Sequence, residues 1–145
     1  MRYEIAPLNP KYLETLLIGA PSSLILSELS LAYFSKGSVS YCILVDGVPV
    51  FAGGIVNLQW GRGEAWMLPT RFFRDHVKTC LKMMKQWIPV MASEGQFRRV
   101  QATCSIISPS EWFRVLGFLY EGTLAKFGPN GESCMMFARV FEVEQ

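Results

Sequence analysis

Ser108-Pro109-Ser110-Glu111-Trp112-Phe113-Arg114-Val115-Leu116-Gly117-Phe118-Leu119-Tyr120-Glu121-Gly122 reads as a short capped helix, a glycine stop and an immediate strand. Ser108 or Ser110 supplies a side-chain oxygen for the free amides of a helix start. Trp112, Val115 and Leu116 fall at the i, i+3, i+4 spacing of a buried stripe. Gly117 can take the left-handed conformation that ends a helix, and the residues after it run straight into a strand. This junction ties the C-terminal third of the chain to one architecture.

Upstream, the apolar period is helical from Thr70. Phe73, Val77, Cys80, Leu81, Met84, Trp87, Ile88 and Met91 trace one stripe, with Arg74, Lys78, Lys82 and Lys85 on other faces. Pro89 removes a donor and restricts Ile88, so this main helix is expected to end or kink there. Arg99–Cys104 then reads as a strand. Farther upstream, Ser40–Val45 and Val48–Val56 are β-rich runs joined by Asp46-Gly47, a hairpin signal. Gly53-Gly54 suggests a bulge or a close backbone approach. Gly61-Arg62-Gly63 is read as a turn before the apolar strand Glu64–Leu68. At the N-terminus a strand over Arg2–Ala6 is followed by two helices, the first capped by Asn9 and the second from about Ser22 or Ser23 to Phe34. After the capped segment, Leu119–Phe127 and Ser133–Phe141 are strands joined by the turn Gly128-Pro129-Asn130-Gly131. The order is βααβββαβαββ.

The 145 residues fit one domain, 1–145, able to bury a core without disulfides or metal. Hydrophobic residues are 50% and charged residues 18%, leaner in charge than the usual quarter or so, which points to apolar surface in a groove or subunit contact, hence a homo-oligomer or a partner. A formal charge of +2 argues against general nucleic-acid binding and against a polybasic membrane anchor. Cys42, Cys80, Cys104 and Cys134 are isolated and His76 is the sole histidine, so neither a disulfide framework nor a zinc site is suggested. The N-terminus lacks a signal-like apolar run and the most apolar segment, Leu24–Phe34, is broken by Ser27, Glu28 and Ser30. A soluble, cytoplasmic protein with no membrane span is expected.

The Trp112–Gly122 segment resembles the YxxxGF region near the end of GCN5-related N-acetyltransferases (GNATs), and the element order matches that family over nearly the whole chain. The resemblance implies an α+β fold, a mixed central sheet of about seven strands flanked by about four helices. It also implies acetyl-coenzyme A as cofactor, an amine as acceptor and no metal. Backbone groups of Trp66, Met67 and Leu68 would meet the pantetheine arm, Arg71 and Arg74 the phosphates, and Glu64 would be the base. The family's glycine-rich pyrophosphate loop corresponds here to Pro69-Thr70-Arg71-Phe72-Phe73-Arg74-Asp75-His76-Val77, which contains no glycine. A phosphate needs unpaired N–H groups at close range, and side chains obstruct that approach. The family's acid, a tyrosine early in the last helix, corresponds to Phe113, which has no proton to give. This degenerate loop is similar to that of a subgroup encoded by short-tailed phages and related to their internal virion protein A, which implies a virion or host protein partner.

Each tempting residue also has a plain structural reading. Glu64 can be a solvated strand-end carboxylate, Arg71 and Arg74 a solvated helix start, His76 surface decoration, Tyr120 a packing residue and Cys104 a buried thiol. Met83-Met84 and Met135-Met136 can be soft binding surface or core filler. Of Trp60, Trp66, Trp87 and Trp112, at least two are expected in the core. Two functions stay open: an acetyl-coenzyme A dependent N-acetyltransferase, and a non-catalytic virion or interaction protein on the same fold.

Overall fold

The computed structural model describes residues 1–9, 11–12, 37–105 and 111–142. Within them the chain forms β1 (Tyr3–Pro7), β2 (Val39–Val45), β3 (Val48–Gln59), β4 (Arg62–Pro69), a 3-10 turn (Arg71–His76), α1 (Val77–Glu94), β5 (Arg99–Ser105), α2 (Glu111–Val115), β6 (Leu119–Leu124) and β7 (Cys134–Val140). The strands make one sheet in the order β1-β2-β3-β4-β5-β7-β6. Every pairing is antiparallel except β4 with β5. No helix of the described residues is long and apolar enough to cross a membrane.

Local chemistry explains most of the elements. Asp46 and Gly47 both adopt positive φ, 51° and 82°, the geometry that matches the twist of a two-residue hairpin. The Asp46 carboxylate accepts from the Arg2 amide at 2.9 Å, tying this turn to the start of β1. Asn9 does cap: its Oδ1 accepts from Lys11 N at 3.0 Å. The remainder of that helix and the second expected helix, Ser22–Phe34, lie outside the described residues, as do the expected capping serines 108 and 110. At the end of α2, Phe118 N donates to Phe113 O and Gly117 N to Arg114 O, with Gly117 at φ 89°. This is the paired closure that a left-handed glycine permits.

Several expectations change in the folded chain. Pro89 does not end α1, which runs on to Glu94. The lost hydrogen bond costs roughly 3 kcal/mol or more, while burying Ile88, Met91 and Ala92 beyond the first turns offsets it at about 1.5 to 3 kcal/mol per large side chain. In α2 the buried residue is Phe113, with Leu116 buried just past its end, and Val115 is 47% exposed rather than part of the stripe. Phe113 stacks on Phe137 at 5.0 Å and 11°, which fixes the rotation of this short helix. The turn before β4 is Gln59-Trp60-Gly61, all with positive φ, so Arg62 and Gly63 already belong to the strand. Bulges fall at Ile43/Leu44, Asn57/Gln59 and Tyr120/Gly122, while at Gly53-Gly54 the other alternative holds, a close backbone approach, since a Cβ on Gly54 would meet the Val39 carbonyl and Ser40 Cα. The strand expected to reach Phe127 stops at Leu124, ahead of Lys126 in the left-handed region.

The main core lies between the sheet and the two helices, with Phe97, Phe137, Ile55, Leu116 and Cys80 among its most enclosed side chains. A smaller cluster of Leu8, Cys42, Leu44, Ala52 and Leu68 covers the opposite face of β1–β4.

Candidate functional site

The parallel pairing of β4 with β5 is short. It comprises Arg62 with Arg99, Gly63 with Val100 and Glu64 with Gln101, and then the strands part. The other edge of β4 stays paired to β3 as far as Pro69, and that of β5 stays paired to β7 as far as Ser105. Backbone groups of Ala65–Pro69 that point toward β5 therefore border a wedge-shaped gap, where they can pair with an extended polar chain. The closed end of the wedge is clamped. Gly61 O accepts from both Arg98 N and Arg99 N, at 2.7 and 3.1 Å, and Arg98 Nη2 donates to Trp60 O at 2.7 Å.

Glu64 occupies the last paired position of β4 and is half-buried. Strand alternation puts it on the same face as Trp66 and Leu68, away from α1. Gln101 stands directly opposite, and its Oε1 accepts from Arg99 Nε at 3.2 Å, which leaves the amide NH2 as the end available beside Glu64. Arg99 in turn grips Glu121 through two hydrogen bonds of 2.9 and 2.5 Å. That bond holds the Glu121 carboxyl below the usual range and pushes the Arg99 guanidinium up. Such an exposed pair adds little stability; its effect is to orient Gln101 at the vertex. Gln101, Arg99 and Glu121 were not singled out in the sequence, because their juxtaposition depends on a parallel register that no local pattern encodes.

The mouth of the wedge differs from an open amide cradle. Thr70 is buried; its hydroxyl donates to Val50 O at 2.8 Å and accepts from Phe72 N at 3.2 Å. Its carbonyl accepts from Phe73 N at 3.0 Å. The amides of Thr70, Phe72 and Phe73 are thus engaged inside the chain. Arg71 and Arg74 are exposed on this turn, Arg71 lying 4.9 Å over the Phe72 ring, and neither is ion-paired to Asp75. A diphosphate here would be held by side-chain charge more than by main-chain donors.

The other candidates separate clearly. Met67 faces the main core and Leu68 the smaller cluster, so only their backbones border the wedge. Trp66 lies across Gly54, where an added Cβ would sit 2.9 Å from the indole Nε1. Phe113 is buried in an aromatic stack, and Tyr120 shares a 2.6 Å hydrogen bond with Thr123 on β6. His76 is not decoration: its Nδ1 is 2.9 Å from the Tyr3 hydroxyl, joining β1 to the start of α1. Cys104 is half-buried, and burial followed by the neighbouring Cys134 pushes its thiol up, opposite to what a nucleophile needs. Trp66, Trp87 and Trp112 are half-buried, whereas Trp60 is 78% exposed.

A mixed sheet that splits between two central parallel strands, with a helix leading away from the mouth of the split, is the GNAT acyl-coenzyme A N-acyltransferase fold. Solved structures agree. The chain is similar to a GNAT-family acetyltransferase from Streptococcus pneumoniae, at 13% identity, 97% of this chain, 100% of that one and TM-score 0.72. It is similar to Ard1 from Thermoplasma volcanium, at 14% identity, 99% and 100% coverage and TM-score 0.77. It is also similar to RimL, the ribosomal L7/L12 alpha-N-protein acetyltransferase solved in complex with coenzyme A, at 14% identity, 95% and 93% coverage and TM-score 0.74. At these identities the likeness is one of fold. No family model matches the sequence, and no curated protein does.

Proposed function

We propose that this protein is an acyl-coenzyme A dependent N-acyltransferase of the GNAT superfamily, using acetyl-coenzyme A or a near relative. The observation that carries this reading is the parting of β4 and β5 immediately after the Glu64–Gln101 pair. The edges of the gap suit a pantetheine arm, whose amides match strand-edge donors and acceptors, and the basic turn of Arg71 and Arg74 suits the phosphates as a charge site. The donor supplies a thioester carbonyl that an amine can attack. Glu64 takes the proton from the attacking amine, directly or through water. Gln101, fixed by Arg99, positions polar groups at the vertex. Because Phe113 offers no proton, the departing thiolate is reprotonated from solvent. Four free thiols suit a reducing cytoplasm.

Binding of 1 mM acetyl-coenzyme A should raise the melting temperature, since selective binding to the native state stabilises by mass action. Glu64→Gln should keep that shift while losing turnover with an amine panel. Arg71→Ala combined with Arg74→Ala should weaken binding, more so at low salt. A second reading, a non-catalytic interaction protein on this fold of the kind virions carry, draws on the engaged amides around Thr70 and the buried Phe113. Absence of any shift with acetyl-coenzyme A would favour it.

A further inference from the structure

We propose that the donor site continues past the thioester into an aliphatic acyl pocket, so that the preferred donor carries a short chain longer than acetyl. This rests on the transferase reading above. Between α1 and the sheet lies a cavity of about 50 Å³ whose lining includes Gly53, Ala65, Met67, Met84, Trp87 and Val100. Its origin is local. Gly53 pairs with Met67, and Ile55 with Ala65, on the face covered by α1, so one missing and one minimal side chain fall on adjacent strands beneath Met84, Trp87 and Ile88. Its position matters as much as its size. Ala65 directly follows the last β4–β5 pair, and Val100 belongs to the preceding pair. The hollow therefore adjoins the vertex where the carbonyl of a donor in the wedge would stand.

The chemistry of the walls selects the ligand class. They are hydrocarbon and sulfur apart from the Tyr41 ring, whose hydroxyl donates to Glu94, and the indole N–H of Trp87, which is buried with no hydrogen-bond partner among the described residues. A water needs two to four polar partners and roughly 10 to 15 Å³ of such space, so the volume corresponds to about three or four small groups that these walls do not solvate well. A linear or branched chain reaching two to three carbons beyond acetyl fits. Longer chains would press on the rest of the lining, which includes Phe113, Leu116 and Ile5.

The test is calorimetric titration with acetyl-, propanoyl-, butanoyl-, pentanoyl-, octanoyl- and dodecanoyl-coenzyme A. Affinity should rise about fourfold per added methylene to butanoyl or pentanoyl, and fall by octanoyl. Gly53→Ala, whose methyl would point into the hollow, should lower butanoyl affinity more than acetyl affinity. Ile88→Val, which enlarges the space, should move the optimum one carbon longer and guards against poor folding of the glycine variant. Tightest binding by acetyl with loss at propanoyl would overturn the proposal. If no coenzyme A ester binds, the cysteamine thioesters of acetate and butanoate, which lack the nucleotide, decide the matter. A melting shift with the butanoyl thioester alone, removed by Gly53→Ala, would uphold the pocket while the coenzyme A reading falls. No shift with either would overturn both.

Discussion

Gly54→Ala should destabilise the fold strongly, while Gly53→Ala, one residue earlier, should be nearly neutral. Neither glycine has a positive φ, so backbone conformation alone does not forbid alanine. A methyl on Gly54 would collide with the Val39 carbonyl oxygen and lie 2.9 Å from both Ser40 Cα and Trp66 Nε1. Two of those neighbours are backbone of the adjacent strand, paired at Ser40–Gly54, and cannot rotate away. Overpacking costs about 1 to 3 kcal/mol where side chains adjust. Displacing a ladder strand adds about 1 kcal/mol for each weakened hydrogen bond. Restricting the unfolded chain returns about 0.4 to 1 kcal/mol, leaving a net loss of about 3 kcal/mol. A methyl on Gly53 meets the edge of Phe51 at 3.0 Å and Trp66 O at 3.2 Å, with the cavity beside it to accept a tilted ring. That cost is about 1 kcal/mol, close to the entropic return. Urea unfolding followed by fluorescence reads the difference: with m of about 2 kcal/mol/M, Gly54→Ala should lower the midpoint by about 1.5 M at unchanged m. Midpoints for the two variants within about 0.3 M of each other would refute the reasoning, because the close approach of β2 to Gly54 would then carry no energetic weight.

Alkaline pH should destabilise the protein through its buried thiols and Tyr41. Burial pushes the Cys42 and Cys80 thiols up to about 11, and burial with the Glu94 hydrogen bond pushes Tyr41 up to about 12. The folded state keeps these protons after the unfolded chain has released its own. Stability is thus full below about pH 9 and falls toward pH 11, by about 1.4 kcal/mol per pH unit per thiol. Melting curves between pH 8 and 11 measure this, and Cys80→Ala should reduce the slope by one thiol's share. Tyr3→Phe should cost about 1 kcal/mol by removing the bond to His76, with faster hydrogen exchange in β1 as the local signature. Phe113→Tyr should lose about 1 to 3 kcal/mol by burying an unpaired hydroxyl in the Phe137 stack, and denaturation together with turnover assays will show whether any gain in thiolate protonation accompanies it.

What the sequence revealed is what neighbours along the chain decide. Asp46-Gly47 encodes its turn in two residues, Gly117 its helix stop in one, and the stripe from Phe73 to Met91 repeats often enough to survive Pro89. Glu64, read as the start of an apolar strand, is the third residue of β4 and its last partner to β5. What escaped depends on partners distant in sequence. Gln101 gains meaning only from the parallel register, His76 from Tyr3 on the first strand, and the hollow under Trp87 from the coincidence of Gly53 with Ala65. In α2 the spacing favoured Val115, but five residues make barely more than one turn, and the aromatic partners Phe118 and Phe137 chose Phe113 instead.

The Gln59-Trp60-Gly61 turn works like the rivet of a pair of tongs. Two consecutive non-glycine residues in the left-handed region cost about 1 to 3 kcal/mol each, a load sustained because Arg98 locks the turn to the root of β5. Removing the Arg98 side chain would take the donor from the Trp60 carbonyl and leave the rivet fastened by the Gly61 carbonyl alone, so the strained turn and the root of the slot share one set of fasteners.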